Sequence, residues 1–558
     1  MRPKMKSLIS MTQLLLVLVV AGTLFLTPAT FAAAPGVSGT TFNLTAQDAF
    51  LNQPDGEAVY SWGYGCLNTT GLTFLPSAIA NATCPTMQVP GPTLIVTEGQ
   101  TITINLQNGL PTAAGNTSIL FPGFQLTSTC ANSTTNPQGL LACEATPGST
   151  VTYTFVASAP GTHPYYSGTQ GDLQVEMGLY GAIIVLPANV PANCNSTVTN
   201  LYGKTDYGTS NKISGFPEAD FRLAHAAYDH PRSCYDREYL FQWAEMDSRI
   251  HQQAQAQVQA RKGCTAGTMG CSLDVQTEPY HPAYFLINGR SMPDLMDPNY
   301  AAEYPHQPYN GNPHMHPGEL TLIRTIGQGR WQHPFHEHAN HVRILARDGN
   351  LVLSPTNPTT SLAGILMFNT DTTPGESFDG IFYFSGRGLN WDPYGHHPTS
   401  SSNDPLAMLT CTPDANGYNT GNTAALNYYE WCQDHNKPVQ VAPFGDVPAG
   451  GPATLPDPNV FTNGQWYGGS PYFGPDAVLR STMPACTSNA LTGTATPGTN
   501  CTTLNPANTQ ANPANERGWA FMWHSHNERE ITTNNVFPGG MLMMMLVDSR
   551  EFAIDESQ

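Results

Sequence analysis

Four histidines, His333, His336, His338 and His341, fall within nine residues of the stretch WQHPFHEHANHVRILARDG (331–349), and two more, His524 and His526, stand in WHSHNERE (523–530). His336 and His338 are two apart, as are His524 and His526. On a β-strand that spacing puts both members of a pair on one face, about 7 Å apart. If the two strands are neighbours, four imidazoles converge at one end of a sheet. Imidazole is the commonest protein ligand for copper and zinc, so the arrangement reads as a metal site, joined by His333 or His341.

The elements that must position these residues are short strands. Frequent glycine and proline (Gly 51, Pro 47), with abundant Thr, Asn and Ser, point to a loop-rich, β-dominated chain. Runs such as PGPTLIVTEGQTITINLQN (90–108), STVTYTFVAS (149–158) and MGLYGAIIVLP (177–187) alternate with turn signals, the pattern of an antiparallel sandwich. New strands begin near residue 235 and include DREYLFQWAEMD (236–247) and GELTLIRTIGQG (318–329). HQQAQAQVQARKG, within 248–275, reads as one surface helix. The Gly/Pro/Asn/Thr-rich segment 390–516 is too long for a plain loop and reads as a disulfide-stapled insertion.

Arg2, Lys4 and Lys6, the apolar run Leu14–Leu26 and the small residues of TFAAA make residues 1–34 a secretory signal peptide. The mature protein is expected to be secreted or periplasmic, with no later run long enough to span a bilayer. Net charge is −19 and charged residues make up 11% of the chain, which argues against nucleic acid or anionic membrane as a partner. Twelve cysteines in an exported chain imply disulfides, and they fall into neighbouring pairs: 66/84, 130/143, 194/234, 264/271, 411/432 and 486/501. None sits beside a histidine cluster.

PGPTLIVTEGQTITINLQN, the MGLYGAIIV strand, HPFHEH, and WHSH followed by PGGM together resemble the laccase-like multicopper oxidases. That resemblance implies tandem cupredoxin-like Greek-key β-sandwich domains. It also implies a three-copper cluster held by four paired-histidine motifs, and a type 1 copper whose Cys lies between two cluster histidines. His336, His338, His524 and His526 match cluster ligands, and His333 matches a type 1 histidine. The chain departs from the pattern elsewhere. Leu120-Phe121-Pro122-Gly123 and Tyr165-Tyr166-Ser167-Gly168 replace both first-domain histidine motifs, Ser525 stands for the Cys, and Glu530 for the second type 1 histidine. An alcohol cannot substitute for a thiolate on copper, so a blue centre is excluded.

The expected organisation is a first domain over 38–190 and a discontinuous second over 200–389 plus 517–550. A reduced middle domain over 200–312 with a third over 313–550 is the alternative. The resemblance further implies copper (with zinc as the other metal suited to imidazole), a small-molecule or metal-ion substrate, and a homo-oligomer. Glu337 and Glu528 are expected to fix imidazole tautomers. His314 and His316 read as a solvated loop, and Met541, Met543, Met544 and Met545 as a buried strand. A copper-dependent oxidoreductase, a copper store and a structural scaffold are the competing functions.

Overall fold

The computed structural model describes residues 34–130, 136–194, 220–385, 410–421, 430–432 and 518–548, with side chains in the last segment from Phe521, together with Ile554, Glu556 and short strands at 446–447, 451–452 and 470–472. The expected signal peptide, the Cys486/Cys501 pair and most of the 390–516 insertion lie outside these residues.

The first β-sandwich has two five-stranded sheets. One runs Thr73–Leu75, Gly36–Ser38, Leu94–Thr97, Tyr180–Leu186, Gly161–Tyr166, and the other Ala58–Asn68, Thr41–Asn52, Thr101–Asn108, Thr150–Val156, Thr127–Ser128. Thr101–Asn108 shows why the sequence folds this way: Ile102, Ile104 and Leu106 are fully buried while the residues between them face outward. The sheets are mixed rather than purely antiparallel. Gly36–Ser38 lies parallel to Leu94–Thr97, and Thr41–Asn52 parallel to Thr101–Asn108. One stretch of chain, changing sheets at Gly39–Thr40, supplies a strand to each and so creates these two pairings, while Tyr180–Leu186 forms a third parallel pair with Leu94–Thr97.

The second sandwich carries the histidines. One sheet runs Tyr284–Ile287, Arg237–Met246, Thr321–Gly327, Ser377–Phe382, Val342–Arg347, Asn350–Leu351. Its partner runs His314–Met315, Leu542–Asp548, Gly518–Ser525, Pro334–Glu337, Asn369–Asp371. Between them Phe241, Trp243, Phe335, Phe382 and Trp523 form an aromatic core, with Phe335 4.7 Å from Trp243 and Phe382 4.9 Å from Trp523. Met541, Met543 and Met545 alternate into that core. His314 and His316, read from sequence as a solvated loop, are buried. His314 begins a two-residue strand parallel to Leu542–Asp548, and the His316 N–H donates to Glu319 (2.8 Å).

The helix forms over Ser248–Ala260, opened by Asp247, whose side chain accepts from the Arg249 N–H. Five of the six neighbouring cysteine pairs are disulfides: 66–84, 130–143, 194–234, 264–271 and 411–432. Polar contacts join the two sandwiches. Thr162 Oγ1 donates to Asp379 at 2.6 Å, Ser377 Oγ to the Thr162 carbonyl at 2.5 Å, and Gln328 to the Gly181 carbonyl at 2.9 Å.

Candidate metal centre

Pro334–Glu337 and Gly518–Ser525 are antiparallel neighbours, and their register sets His336 directly opposite His524. His338 lies one step past the end of its strand, where its N–H meets the Met522 carbonyl, and Ala339, at φ 83°, then turns the chain away. His526 lies past the other strand's end, its N–H on the Pro334 carbonyl at 2.8 Å. The two outer histidines therefore flank the central pair on opposite sides. Ring centroids are 5.5 Å apart for His336–His524, 5.1 Å for His338–His524 and 4.9 Å for His336–His526.

His336, His338 and His524 are buried, and each offers a nitrogen within 4.8 Å of the others. The Nε2 atoms of His338 and His524 face each other at 3.1 Å. Two ligand nitrogens about 2.0–2.1 Å from a common ion stand roughly 2.9–3.3 Å apart at angles of about 90–110°. The spacing therefore fits a shared ion. Nδ1 of His336 meets the Phe368 carbonyl at 2.6 Å, and Nδ1 of His524 the Ser525 carbonyl at 2.6 Å. A carbonyl only accepts, so each Nδ1 carries the proton and each Nε2 is the donor atom for a metal. Burial, reinforced by neighbouring His338, lowers His336 to about 3, and burial also lowers His524. Both rings are neutral at neutral pH, the state a metal requires.

The expected carboxylate partners do not set these tautomers. Glu337 points to the opposite face of its strand, where Thr370 donates to it (3.1 Å) and burial raises its pKa well above the carboxylate range. Glu528 is exposed, 3.9 Å from His526. Main-chain carbonyls take the role instead, and no side-chain motif announces them. His526 is half exposed and rims the cluster. His341 packs edge-on against Phe368 (5.1 Å), apart from the group of three.

His333 is not in that group either. It lies on the core side, with Nδ1 2.9 Å from Glu530 and Nε2 2.9 Å from Glu245. Ser525, opposite Phe335 in register, also faces the core, and its hydroxyl donates to Glu530. The three positions that matched a type 1 copper thus bond to one another. Glu245, from the facing sheet, is a partner that no sequence motif singles out.

The replaced first-domain motifs are also brought together. Leu120 and Tyr166 pair across a β-bridge, and Phe121 packs on Tyr153, Phe155 and Tyr165, with ring centroids 6.3, 4.9 and 5.8 Å away. Tyr165 OH donates to the Pro92 carbonyl at 2.7 Å. Phe121 and Tyr165 thus belong to the aromatic core of the first sandwich.

Residues 72–190 match the family model described as multicopper oxidase. Among curated proteins, an L-ascorbate oxidase of Brassica rapa subsp. pekinensis is 39% identical over 99 residues, 18% of this chain and 16% of that protein. Laccase-3 of Botryotinia fuckeliana is 35% identical over 112 residues, 20% of this chain and 22% of that one. The matched stretches thus span about a fifth of these relatives. Among solved structures, the multicopper oxidase mgLAC aligns over 91% of this chain and 86% of its own at 14% identity and TM-score 0.42. A blue copper oxidase from Nitrosomonas europaea aligns over 91% and 85%, at 14% identity and TM-score 0.40. The first sandwich is of the multicopper oxidase kind. Across the described residues the fold is all-β, and Ser525 rather than a cysteine stands between His524 and His526.

Proposed function

We propose that the protein is an exported copper-binding oxidoreductase whose metal is held by His336, His338 and His524, with His526 completing the set at the rim. The observation that carries this reading is the convergence of three buried imidazole nitrogens within 4.8 Å. Copper bound there would supply one-electron redox chemistry. The chain's own contribution is a set of neutral rings oriented by the Phe368 and Ser525 carbonyls and shielded on the core side by Phe335 and Trp523. With no thiolate relay, a small-molecule or metal-ion substrate must meet the site directly. The half-exposed His526, with Phe368 (47% exposed) against His336 at 5.8 Å, offers it a face.

Export is supported by the apolar leader at residues 1–34 and by five disulfides, which persist in oxidising compartments. The two-domain organisation is supported by Tyr284–Ile287 sharing a sheet with Thr321–Gly327, which ties the 200–312 segment to the strands after it.

The test is metal analysis after Cu(II) loading, with oxygen uptake on phenols and Fe(II). Stoichiometric copper with turnover is expected. Stoichiometric copper without turnover would leave a copper store, and no bound copper would leave a scaffold.

A further inference from the structure

His333 is fully buried, and both its ring nitrogens face carboxylates at hydrogen-bond distance. A neutral imidazole has one N–H, so it would set a lone pair against one of the two carboxylates. The other partners of both carboxylates are donors. Glu245 accepts from the main-chain N–H groups of Arg330 (2.7 Å) and Trp331 (2.8 Å), and shares the Tyr280 hydroxyl (3.1 Å) with Glu176. Glu530 accepts from the Ser525 hydroxyl and from Asn527 Nδ2 (2.8 Å). Both carboxylates thus act as acceptors throughout, and a ring that meets each of them with an N–H is doubly protonated. Among the described residues no Lys or Arg side chain bonds either carboxylate. Arg330 reaches Glu278 and the Thr277 carbonyl, and Arg529 reaches Asn535 and the Pro282 carbonyl. Burial opposes the charge on His333, but the two carboxylates outweigh it and raise the ring to about 9.

We propose that His333 is a positioning residue, an imidazolium pin standing where a type 1 metal would tie together the same elements. It joins Glu245 on one sheet to the Ser525–Glu530 turn on the other, and so holds the strand ends that present His336 and His524. Tyr280 extends the chain of contacts to Glu176 of the first sandwich (2.7 Å). The imidazolium itself is independent of the copper reading, and only the effect on the metal ligands rests on it.

The test uses the full chain with 15N-labelled histidine, without metal and then loaded with Cu(II). In metal-free protein both His333 nitrogens should be protonated at neutral pH and remain so until about pH 9. Glu530→Gln should make the ring neutral at neutral pH, shift the ring resonances of His336 and His524, and alter the Cu(II) EPR spectrum. Glu245→Gln approaches the same ring from its other nitrogen and should do likewise, so it decides the matter should the first variant fail to fold. A neutral His333 in the native protein, or folded variants that leave the His336 and His524 resonances unmoved, would overturn the pin. Failure to take up copper would sink the copper reading alone, because the metal-free spectra still decide on the pin.

Discussion

His333 and His336 stand three residues apart, and their surroundings drive them in opposite directions. For His336, burial and neighbouring imidazoles disfavour charge, giving about 3. For His333, burial is outweighed by Glu245 and Glu530, giving about 9. An unfolded histidine titrates near about 6.5. As pH falls from about 6.5 toward 3, the unfolded chain binds the extra proton at His336, so stability is lost on the acid side. As pH rises from about 6.5 through 9, the folded chain gives up the proton at His333, so stability is lost on the alkaline side. The melting temperature of the metal-free protein is therefore expected to fall away from neutrality in both directions. His333→Gln should flatten the alkaline limb and His336→Gln the acid one, as followed by circular dichroism. An alkaline limb unchanged in His333→Gln would contradict the assignment. Ser525→Cys is expected to give no intense blue absorption after copper loading. His333 is engaged at both nitrogens and Glu530 stands where the other imidazole would be, so a lone thiolate lacks its nitrogen partners. An intense blue band in that variant would show the pocket to be latent rather than rebuilt.

Among the strands and turns, local patterns were legible in the sequence and the contacts that cross between them were not. Alternation over Thr101–Asn108, the helix after Asp247 and the i, i+2 histidine pairs are local, and each reappears in the fold. Glu245 could not be read, because it reaches His333 from a strand 88 residues away in the other sheet. The same holds for the Phe368 and Ser525 carbonyls, since every residue carries one and only the register decides which meets a ring. The burial of His314 was hidden because its strand is two residues long and pairs with residues more than two hundred positions later. The departure of 120–123 and 165–168 from the histidine motifs was legible in the sequence, but the packing of the residues that stand there was not. Phe121 now anchors an aromatic cluster, and Phe121→Ala should destabilise the protein by about 3–5 kcal/mol. Chemical denaturation measures that loss. A cost near zero would mean the emptied motif is a surface feature and not a plug.

Across the molecule as a unit, the two sandwiches meet through a buried polar junction. Asp379 accepts from Thr162 and Tyr228 and lies 3.8 Å from Arg324, which also pairs with Glu238 at 2.9 Å. Removing one partner from such a set leaves charge buried without compensation, at a cost of roughly 3–5 kcal/mol. Asp379→Ala is thus expected to lower stability by that order and to separate the thermal transitions of the two sandwiches in calorimetry. A single unshifted transition would show that apolar contacts alone couple them. The histidine cluster lies on the second sandwich's other sheet, away from this junction, so its copper binding should survive the substitution.

Three or four imidazoles sharing one ion at the ends of the Pro334–Glu337 and Gly518–Ser525 strands are the foundation of the proposed chemistry. Pulsed EPR of the Cu(II)-loaded full chain counts those nitrogens directly. Three or four coupled imidazoles with no sulfur, reduced by one in each of His336→Ala, His338→Ala and His524→Ala, is the predicted result. Copper bound through fewer than three imidazoles, or a spectrum indifferent to all three substitutions, would contradict it.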